Sequence, residues 1–376
     1  MSLWAKVLGA REHTNFSEAL ALDLIRLKEV RRVLGQANWP LKFKYSDARE
    51  QLHQVSRDLG ERLARCNASE RMTVASAFAR ADDILPVEVK AGGRAAEMSK
   101  IKSVLENGCG DLGRSLSDAQ LEAVHSHLRS KPVLLSNDAH SAKEQVASLA
   151  DVPMNRNYGC YDYLDLWSCP HVLELAAQEK FIDLAQGYLG CTPTLYSVNA
   201  FWSFPDRQPH KASQVFHRDW EDYRSLVVFT LLTPVETPDE GAHYYVETSH
   251  EVDRFEAVLK ADGIAGADVE NLVKRDEEII APTALRLFEH SARRFDGPAG
   301  QSFCGDGYGL HRVVVPRSRP RLMLWFRFGN FFNETAYRIV MPDAVRATAR
   351  HALERIPSTP RHQYVFRYLI EALSAV

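Results

Sequence analysis

Cysteine is scarce in this sequence and widely spaced. The six cysteines stand at positions 66, 109, 160, 169, 191 and 304, and no two of them form a C-x-x-C pair. Disulfide-rich secreted proteins and structural zinc sites place their cysteines much closer together. We therefore expect reduced thiols, most of them buried, and no disulfide framework.

The chain also lacks a large excess of charge and a long apolar run. Its net charge of −3 at pH 7 gives no overall attraction to nucleic acid or to an anionic membrane surface. The segment MSLWAKVLGAREHTNF has a short apolar run that ends at Arg11 and Glu12, and no later run is long enough to cross a bilayer. We expect a cytoplasmic protein that neither binds nucleic acid nor spans a membrane. The sequence leaves its oligomeric state open.

What the chain does have is the composition of a globular protein, with 45% hydrophobic and 25% charged residues. From residue 16 to about residue 105, Leu, Val and Ile recur at three- and four-residue intervals, which favours amphipathic helices. The glycine-rich segments KAGGRAAEMSK and ENGCGD lie near the end of this region and are typical of a loop or linker. We predict a helical N-terminal extension, residues 1–105, and a second domain, residues 106–376.

Capping residues predict where helices of the second domain begin and end. Ser117 and Gln120 fit a capping box, in which both side chains accept hydrogen bonds from backbone amides of the first turn. A helix through LEAVHSHLRS is therefore expected. A further helix is predicted to begin at Pro170 and to end at Gly190. The C-terminal segment is again helical in character, with Pro360 as a predicted helix start.

Short runs rich in β-branched and aromatic residues follow Gly190, namely TLYSVNAFWSF, LVVFTLLT, HYYVET and RLMLWFRF. Pro, Gly and Asp separate these runs, as expected for strands joined by turns. The sequence therefore predicts an α+β protein with a β-rich core and flanking helices.

The segment VFHRDW, at 215–220, holds the one histidine in the chain that is followed two residues later by a carboxylate. In a strand, His217 and Asp219 would share a face and Arg218 would point away. Composition alone predicts roughly two such pairs by chance, so a metal site needs a third ligand. The best candidate is His311, at the start of an apolar β segment; its alternative role is structural. Two histidines and one carboxylate form the facial triad of non-haem Fe(II) enzymes.

The segment RLMLWFRF supplies a candidate anion-binding residue. Strand alternation places Arg321 on one face and only apolar residues on the other, which should pack beneath a helix. A planar guanidinium holds a carboxylate with two hydrogen bonds, which lysine does less well. Arg317 and Arg319 are close rivals, and a solvated or salt-bridged arginine is the alternative for each of them.

Taken in order along the chain, these motifs resemble those of the phytanoyl-CoA dioxygenase-like family of Fe(II)/2-oxoglutarate-dependent oxygenases. The matching pieces are His217-x-Asp219, the distal His311, Arg321, and the segments DEGAHYYVETSHEVDRF and GPAGQSFCGDGYGLHRV. The resemblance covers roughly residues 110 to 335. It does not extend to the N-terminal third.

The resemblance implies a double-stranded β-helix core, also called a jelly-roll or cupin-like core, with flanking helices. It implies Fe(II) held by His217, Asp219 and His311, with O2 as oxidant and 2-oxoglutarate as co-substrate held by Arg321. An intact Asp219 favours oxygenation, because related halogenases have a small residue at this place. The expected reaction is hydroxylation of an unactivated C–H bond with release of succinate and CO2.

Three further residues are candidates for the site. Asn199 has an amide that is able to bind the co-substrate, or it is a polar residue at a strand edge. Trp220 and Arg224 follow the His217 and Asp219 pair closely and are candidates for the substrate pocket, although Trp220 equally suits core packing.

The expected substrate is a small or medium metabolite, a saccharide or a lipid precursor. Phytanoyl-CoA itself is disfavoured because no phosphate-binding glycine loop is evident, and a fold does not determine a function. The alternative is a non-catalytic or differently catalytic β-barrel metal-binding protein. The paired His-x-His ligands of cupin isomerases are missing from the β segments, since the one H-x-H, His125 and His127, lies on a predicted helix.

Overall fold

A computed structural model describes residues 95–136, 144–153, 156–205, 215–219, 224–261, 263, 288, 292–329, 343–367 and 369–370. Within these ranges the chain forms antiparallel strands in two sheets, with helices around them. The predicted α+β class is therefore confirmed. The predicted helical periodicity of residues 16 to 94 and the candidate Trp220 lie outside the described residues.

The described strands pair antiparallel throughout. They are β1 (Cys109–Arg114), β2 (Val133–Ser136), β3 (Glu144–Val146), β4 (Tyr158–Cys160), β5 (Thr194–Ser203), β6 (Leu226–Leu231), β7 (His243–Tyr245), β8 (Arg293–Phe295), β9 (Gln301–Asp306), β10 (His311–Val313) and β11 (Arg321–Gly329). The larger sheet has the order β1-β9-β6-β11-β5-β4-β2-β3, and the smaller sheet has the order β10-β7-β8. Strands that are distant in the sequence therefore become neighbours.

The described α-helices surround these sheets. They are α1 (Ala95–Asn107), α2 (Asp118–Arg129), α3 (Tyr163–Ser168), α4 (Val172–Ala176), α5 (Glu179–Leu189), α6 (Val252–Ala261), α7 (Asp343–Glu354) and α8 (Pro360–Val365). None of the helices in the described part of the chain is long and apolar enough to cross a membrane. Helix α1 runs through position 105 and packs closely on α5, since a Cβ built at Gly187 would lie 2.6 Å from Ile101 Cδ1. The domain boundary near this position stays a prediction.

The helix caps were largely predictable from the sequence. Ser117 Oγ accepts from the Gln120 amide at 3.3 Å, and Gln120 Oε1 accepts from the Ser117 amide at 2.9 Å, which confirms the capping box. Helix α8 begins at Pro360 as predicted. The single helix predicted to end at Gly190 is instead two, α4 and α5, because Gln178 is extended with ψ 128°. The Gln178 side chain donates to Ser115 O at 3.3 Å, a tertiary contact at the break.

The larger sheet has one face under the helices and one face toward the smaller sheet. Leu324 and Phe326 of β11 lie in the main apolar core with Phe181 of α5. The alternate residue Met323 lies in a second apolar cluster with Tyr245 of β7. The face alternation predicted for RLMLWFRF is therefore confirmed.

The cysteines within the described ranges are free and buried, as predicted, at positions 109, 160, 169, 191 and 304. Burial raises the pKa of both Cys169 and Cys304 to about 12. Because the thiolate is the reactive form, these protonated thiols suit packing better than chemistry.

Candidate metal centre

His217 lies directly opposite His311 in an antiparallel bridge that joins the segment 215–219 to β10. The His217 amide donates to the His311 carbonyl at 3.0 Å, and the His311 amide donates to the His217 carbonyl at 3.1 Å. Residues opposite one another in such a pair direct their side chains to the same face. The two imidazole centroids are 4.2 Å apart. Residues 215–219 form an isolated bridge, whereas the expectation that His217 and Asp219 share a face supposed a regular strand.

Asp219 reaches the two histidines through its own backbone contact. Its amide donates to Gly307 O at 2.8 Å. Asp219 Oδ1 then lies 3.7 Å from His217 Nε2, and Asp219 Oδ2 lies 3.7 Å from His311 Nε2. Among the described residues this is the one cluster of three His, Cys, Asp or Glu side chains able to hold a metal, with its ligand atoms within 4.8 Å of one another.

Each imidazole is oriented by a backbone carbonyl two residues before it. His217 Nδ1 lies 2.9 Å from Val215 O, and His311 Nδ1 lies 2.8 Å from Gly309 O. Because a carbonyl only accepts, a neutral imidazole in this position carries its proton on Nδ1 and its lone pair on Nε2. Both Nε2 atoms face the carboxylate of Asp219. The three donors therefore fit a divalent metal ion, with a second contact fixing each imidazole ring.

The charge states of His311 and Asp219 also suit a metal. Burial lowers the pKa of His311 to about 4, and a charge on His217 acts in the same direction. Burial acts to raise the pKa of Asp219, but positive charge on His311, Arg327 and His217 outweighs it and holds that pKa below its ordinary value. Of these three neighbours, arginine is the one that stays charged at any physiological pH. A carboxylate and a neutral imidazole are the forms that bind a metal.

The glycine-rich turn between β9 and β10 leaves no room for a side chain at Gly307 or Gly309. A Cβ at Gly309 would overlap the Tyr245 hydroxyl. A Cβ at Gly307 would lie 2.9 Å from Ser225 Oγ and 3.4 Å from Asp219 Cβ. Glycine at these two positions lets the turn approach the triad closely enough for its carbonyls to orient His311 and Asp219.

The Ser-His pair that follows β7 shapes this turn without joining the triad. Ser249 Oγ accepts from the Leu310 amide at 2.7 Å, immediately before His311. His250 Nε2 lies 3.2 Å from Leu105 O, so its ring is bonded to the backbone at the end of α1. Both contacts are structural, and neither side chain lies among the candidate ligands.

Arg327 is a site residue to which sequence reasoning gave no role. Its Nη2 donates to Asp219 Oδ2 at 3.3 Å, the same oxygen that faces His311. A guanidinium held there fixes the orientation of the carboxylate. Strand alternation puts Arg327 on the face of Arg321, which was the available signal. Its partner was not evident, because Asp219 is 108 residues away in the sequence.

Arg321 is buried and has no acidic partner among the described residues. Its Nη1 donates to Gly241 O at 2.8 Å, its Nη2 donates to Ser203 Oγ at 3.1 Å, and its Nε has no acceptor. Burial lowers the pKa of Arg321 to about 10. Gly241, with φ 98°, allows this approach, since a Cβ there would lie 2.9 Å from Arg321 Cδ. A buried cation without a counter-ion is costly, so the surroundings of Arg321 are suited to an anion.

The two rival arginines lie at the surface and are already paired with acids. Arg317 Nε lies 3.5 Å from Asp239 Oδ1. Arg319 Nη2 lies 2.8 Å from Glu240 Oε1 and 3.2 Å from Glu236 Oε2. Their charges are therefore compensated within the chain.

His243, on β7, lies close to both the triad and Arg321. Its ring stacks on that of His311 with centroids 5.6 Å apart and lies 4.7 Å from that of Phe229. Burial lowers the pKa of His243 well below its ordinary value, and positive charge on His311, Arg321 and His217 acts in the same direction. Sequence reasoning gave His243 no role, because HYYVET does not reveal what the ring faces.

Asn199 and Arg224 are placed differently from one another. Asn199 lies on β5 opposite Trp325 of β11, on the face toward the smaller sheet, and its amide donates to Ser197 Oγ. Arg224 is buried, its Nη1 donates to Tyr188 O at 2.8 Å, and its guanidinium lies 4.4 Å from the centroid of the Tyr188 ring. These contacts join Arg224 to α5, on the helical side of the larger sheet. A part for it in substrate binding stays a prediction.

No protein-family model matches the sequence, and a search of curated proteins gives no match. Solved structures that resemble part of the fold include SnoN, a non-haem α-ketoglutarate-dependent epimerase from nogalamycin biosynthesis, with a TM-score of 0.42 and 12% identity over 64% of this chain and 87% of that one. HygX from Streptomyces hygroscopicus, solved with nickel and 2-oxoglutarate, has a TM-score of 0.40 and 13% identity over 63% of this chain and 88% of that one. EctD from S. alaskensis, solved with Fe, has a TM-score of 0.39 and 13% identity over 65% of this chain and 80% of that one. The functional assignment therefore depends on the site itself.

Proposed function

We propose that this protein is an Fe(II)- and 2-oxoglutarate-dependent oxygenase. The observation that carries the proposal is the convergence of His217, Asp219 and His311, with both Nε2 atoms directed at the carboxylate. Two imidazoles and one carboxylate are the donor set of non-haem Fe(II) enzymes, which leaves further coordination positions open. The resemblance of the motifs to the phytanoyl-CoA dioxygenase-like family supports the same assignment.

When bound, Fe(II) with 2-oxoglutarate and O2 would supply the oxidation of a C–H bond, with succinate and CO2 as by-products. The residues of the chain hold and orient the reactants. His217, His311 and Asp219 would bind the ion from one side, and the Arg327 guanidinium keeps Asp219 turned toward it. The carbonyls of Val215 and Gly309 hold the Nδ1 protons, which keeps each Nε2 lone pair available.

Arg321 is the residue that we assign to the far carboxylate of 2-oxoglutarate. Its guanidinium is buried without an acid among the described residues, whereas Arg317 and Arg319 already have acidic partners. A dicarboxylate would provide the missing negative charge and a planar, two-oxygen acceptor. In a metal-binding barrel that does not bind a dicarboxylate, a buried arginine without an acidic partner would only destabilise the fold. Asn199 lies on the face toward the same space and is proposed as a further polar contact.

Aromatic rings line the space between the two sheets near the triad. Phe229 stacks on Phe303 with centroids 5.0 Å apart, and Phe201 stacks on Trp325 at 4.8 Å. Such apolar walls exclude water, which strengthens the polar contacts inside. We propose that the substrate oxidised alongside 2-oxoglutarate is a small or medium metabolite, a saccharide or a lipid precursor. It would be hydroxylated at an unactivated C–H bond. By the same resemblance, the intact Asp219 favours oxygenation over halogenation.

We infer that the two sheets are the walls of a double-stranded β-helix. An apolar cluster shared by the sheets supports this, because it joins Val227 and Phe303 of the larger sheet to Tyr245 and Phe295 of the smaller. Residues 1–105 are proposed to form a helical extension on this core, since their apolar periodicity requires a buried face.

The test is a spectroscopic titration under anaerobic conditions. Addition of Fe(II) and then 2-oxoglutarate should produce a visible charge-transfer band, and His311→Ala should abolish it. Arg319→Met, a surface change, should leave the band in place. A protein that binds Fe(II) but gives no band with 2-oxoglutarate, and releases no succinate with any of a panel of metabolite pools, would be a metal-binding protein of another kind.

A further inference from the structure

Buried histidines of this protein, with one exception among the described residues, have hydrogen-bond partners in the backbone. The carbonyls involved are those of Leu105 for His250, Gly309 for His311 and Ala177 for His362. His243 is 5% exposed, its Nδ1 is buried without a partner, and neither ring nitrogen bonds to a described residue. Because buried polar groups are nearly always hydrogen-bonded, a core histidine of this kind is unusual.

The ring of His243 is fixed in place by other rings. Its centroid lies 4.7 Å from that of Phe229, 5.2 Å from that of Phe303 and 5.6 Å from that of His311, with which it makes an angle of 19°. These neighbours pack around the imidazole and offer no partner for its nitrogen atoms. A fixed ring whose nitrogens have no partner among the described residues is available to bond to a ligand.

The position of His243 on β7 indicates which group that is. Gly241, two residues before it, accepts the hydrogen bond from Arg321 Nη1 at 2.8 Å. Tyr245, two residues after it, lies directly opposite His311 in the smaller sheet. His243 therefore stands between the arginine at one end of the strand and the metal triad at the other. The Nε of Arg321 is a second buried donor there without an acceptor.

We propose that His243 binds the co-substrate directly, by donating a ring N–H to the carboxylate that Arg321 holds. The inference rests on the proposed function, because it takes the ligand to be a 2-oxo dicarboxylate that bridges the triad and Arg321. A carboxylate has enough lone pairs to accept from the guanidinium and the imidazole together. His243 thus helps the site to distinguish dicarboxylates from 2-oxo acids that lack the far carboxylate.

The experiment compares two ligands in the full-length, Fe(II)-loaded protein under anaerobic conditions. 2-Oxoglutarate has both ends of the expected ligand, and 2-oxobutyrate has only the metal-binding end. Calorimetric titration of the His243→Leu variant, which keeps an apolar side chain of similar reach, should show a dissociation constant for 2-oxoglutarate raised by about tenfold. The dissociation constant for 2-oxobutyrate and the iron content should be unchanged.

A second variant separates hydrogen bonding from packing. His243→Gln retains an N–H donor and should keep most of the affinity for 2-oxoglutarate. His127→Gln, on α2 where the ring contacts Asp165 O of α3, serves as the control. If the wild type and His243→Leu bind 2-oxoglutarate with equal affinity, the inference is overturned and the proposed function stands. The same holds if His243→Leu raises the dissociation constants of 2-oxoglutarate and 2-oxobutyrate by the same factor. A wild-type protein that holds Fe(II) and binds neither 2-oxo acid would overturn both.

Discussion

His217 and His311 are a hydrogen-bonded cross-strand pair, each donating its amide to the carbonyl of the other, at 3.0 and 3.1 Å. The backbone, and not a chance meeting of side chains, therefore sets the separation of the two imidazoles. Asp219 is tied to the same turn by its amide bond to Gly307 O at 2.8 Å. The candidate iron site is consequently anchored by backbone hydrogen bonds to the edge of the smaller sheet.

Removal of a triad side chain should remove the iron. We expect His217→Ala, Asp219→Ala and His311→Ala each to weaken Fe(II) binding by more than about a hundredfold, because loss of a mere supporting contact costs about 10- to 100-fold. Iron content after anaerobic loading and desalting measures this, with His127→Ala as the control. Full iron content in His311→Ala would show that the distal ligand is another residue.

Loss of Arg321 should weaken the binding of the co-substrate and leave the binding of the metal unchanged. A charge-assisted contact contributes about 1.5–3 kcal/mol, so Arg321→Met should raise the dissociation constant of 2-oxoglutarate by roughly 10- to 100-fold. Arg317→Met and Arg319→Met are matched controls, because their guanidinium groups pair with acids at the surface. If only Arg319→Met weakens the binding of 2-oxoglutarate, Arg319 and not Arg321 holds its far carboxylate.

Loss of Arg327, unlike loss of Arg321, should weaken the binding of the metal. Its Nη2 holds Asp219 Oδ2 at 3.3 Å, and such supporting contacts are typically worth about 10- to 100-fold in metal affinity. Arg327→Met should therefore weaken Fe(II) binding, as measured by competition with a chelator. Arg321→Met is the comparison, with metal affinity close to that of the wild type. Equal metal affinity in all three proteins would leave Arg327 with a packing role only.

Gly309 is predicted to be intolerant of a side chain. A Cβ there would overlap the Tyr245 hydroxyl, so Gly309→Ala should lower the free energy of unfolding by about 1–3 kcal/mol, the usual cost of overpacking. It should also weaken metal binding, because Gly309 O orients His311. Urea denaturation and iron titration measure the two effects.

Two further variants test this explanation. Gly113→Ala, where a Cβ meets nothing within 4 Å but φ is +72°, should lower the free energy of unfolding by about 1 kcal/mol through backbone strain alone. It should not change metal binding. Adding Tyr245→Ala to Gly309→Ala removes the hydroxyl, Cζ and Cε2 atoms that the new Cβ would meet, and should bring the metal affinity close to that of Tyr245→Ala alone. No recovery would place the damage in the turn backbone itself.

The sequence by itself determined the features that depend on near neighbours. The capping box of Ser117 and Gln120, the helix start at Pro360 and the alternation of apolar residues in β11 all follow from local backbone geometry. The donor types of the site were also evident, because His217 and Asp219 stand two apart and a histidine opens the later β segment.

Only the tertiary structure decided the features that depend on residues far apart in the sequence. Four features are of this kind: the break at Gln178, the contact of Arg327 with Asp219, the burial of Arg321 near surface-exposed Arg319, and the His243 ring, which has no hydrogen-bond partner among the described residues. The physical reason is that burial and pairing are properties of the assembled fold. Arg319 and Arg321 look alike in the sequence, and only the packing shows that Arg319 pairs with acids while Arg321 has none among the described residues. In the same way, the sequence places His243 in a strand but does not show which groups surround its ring.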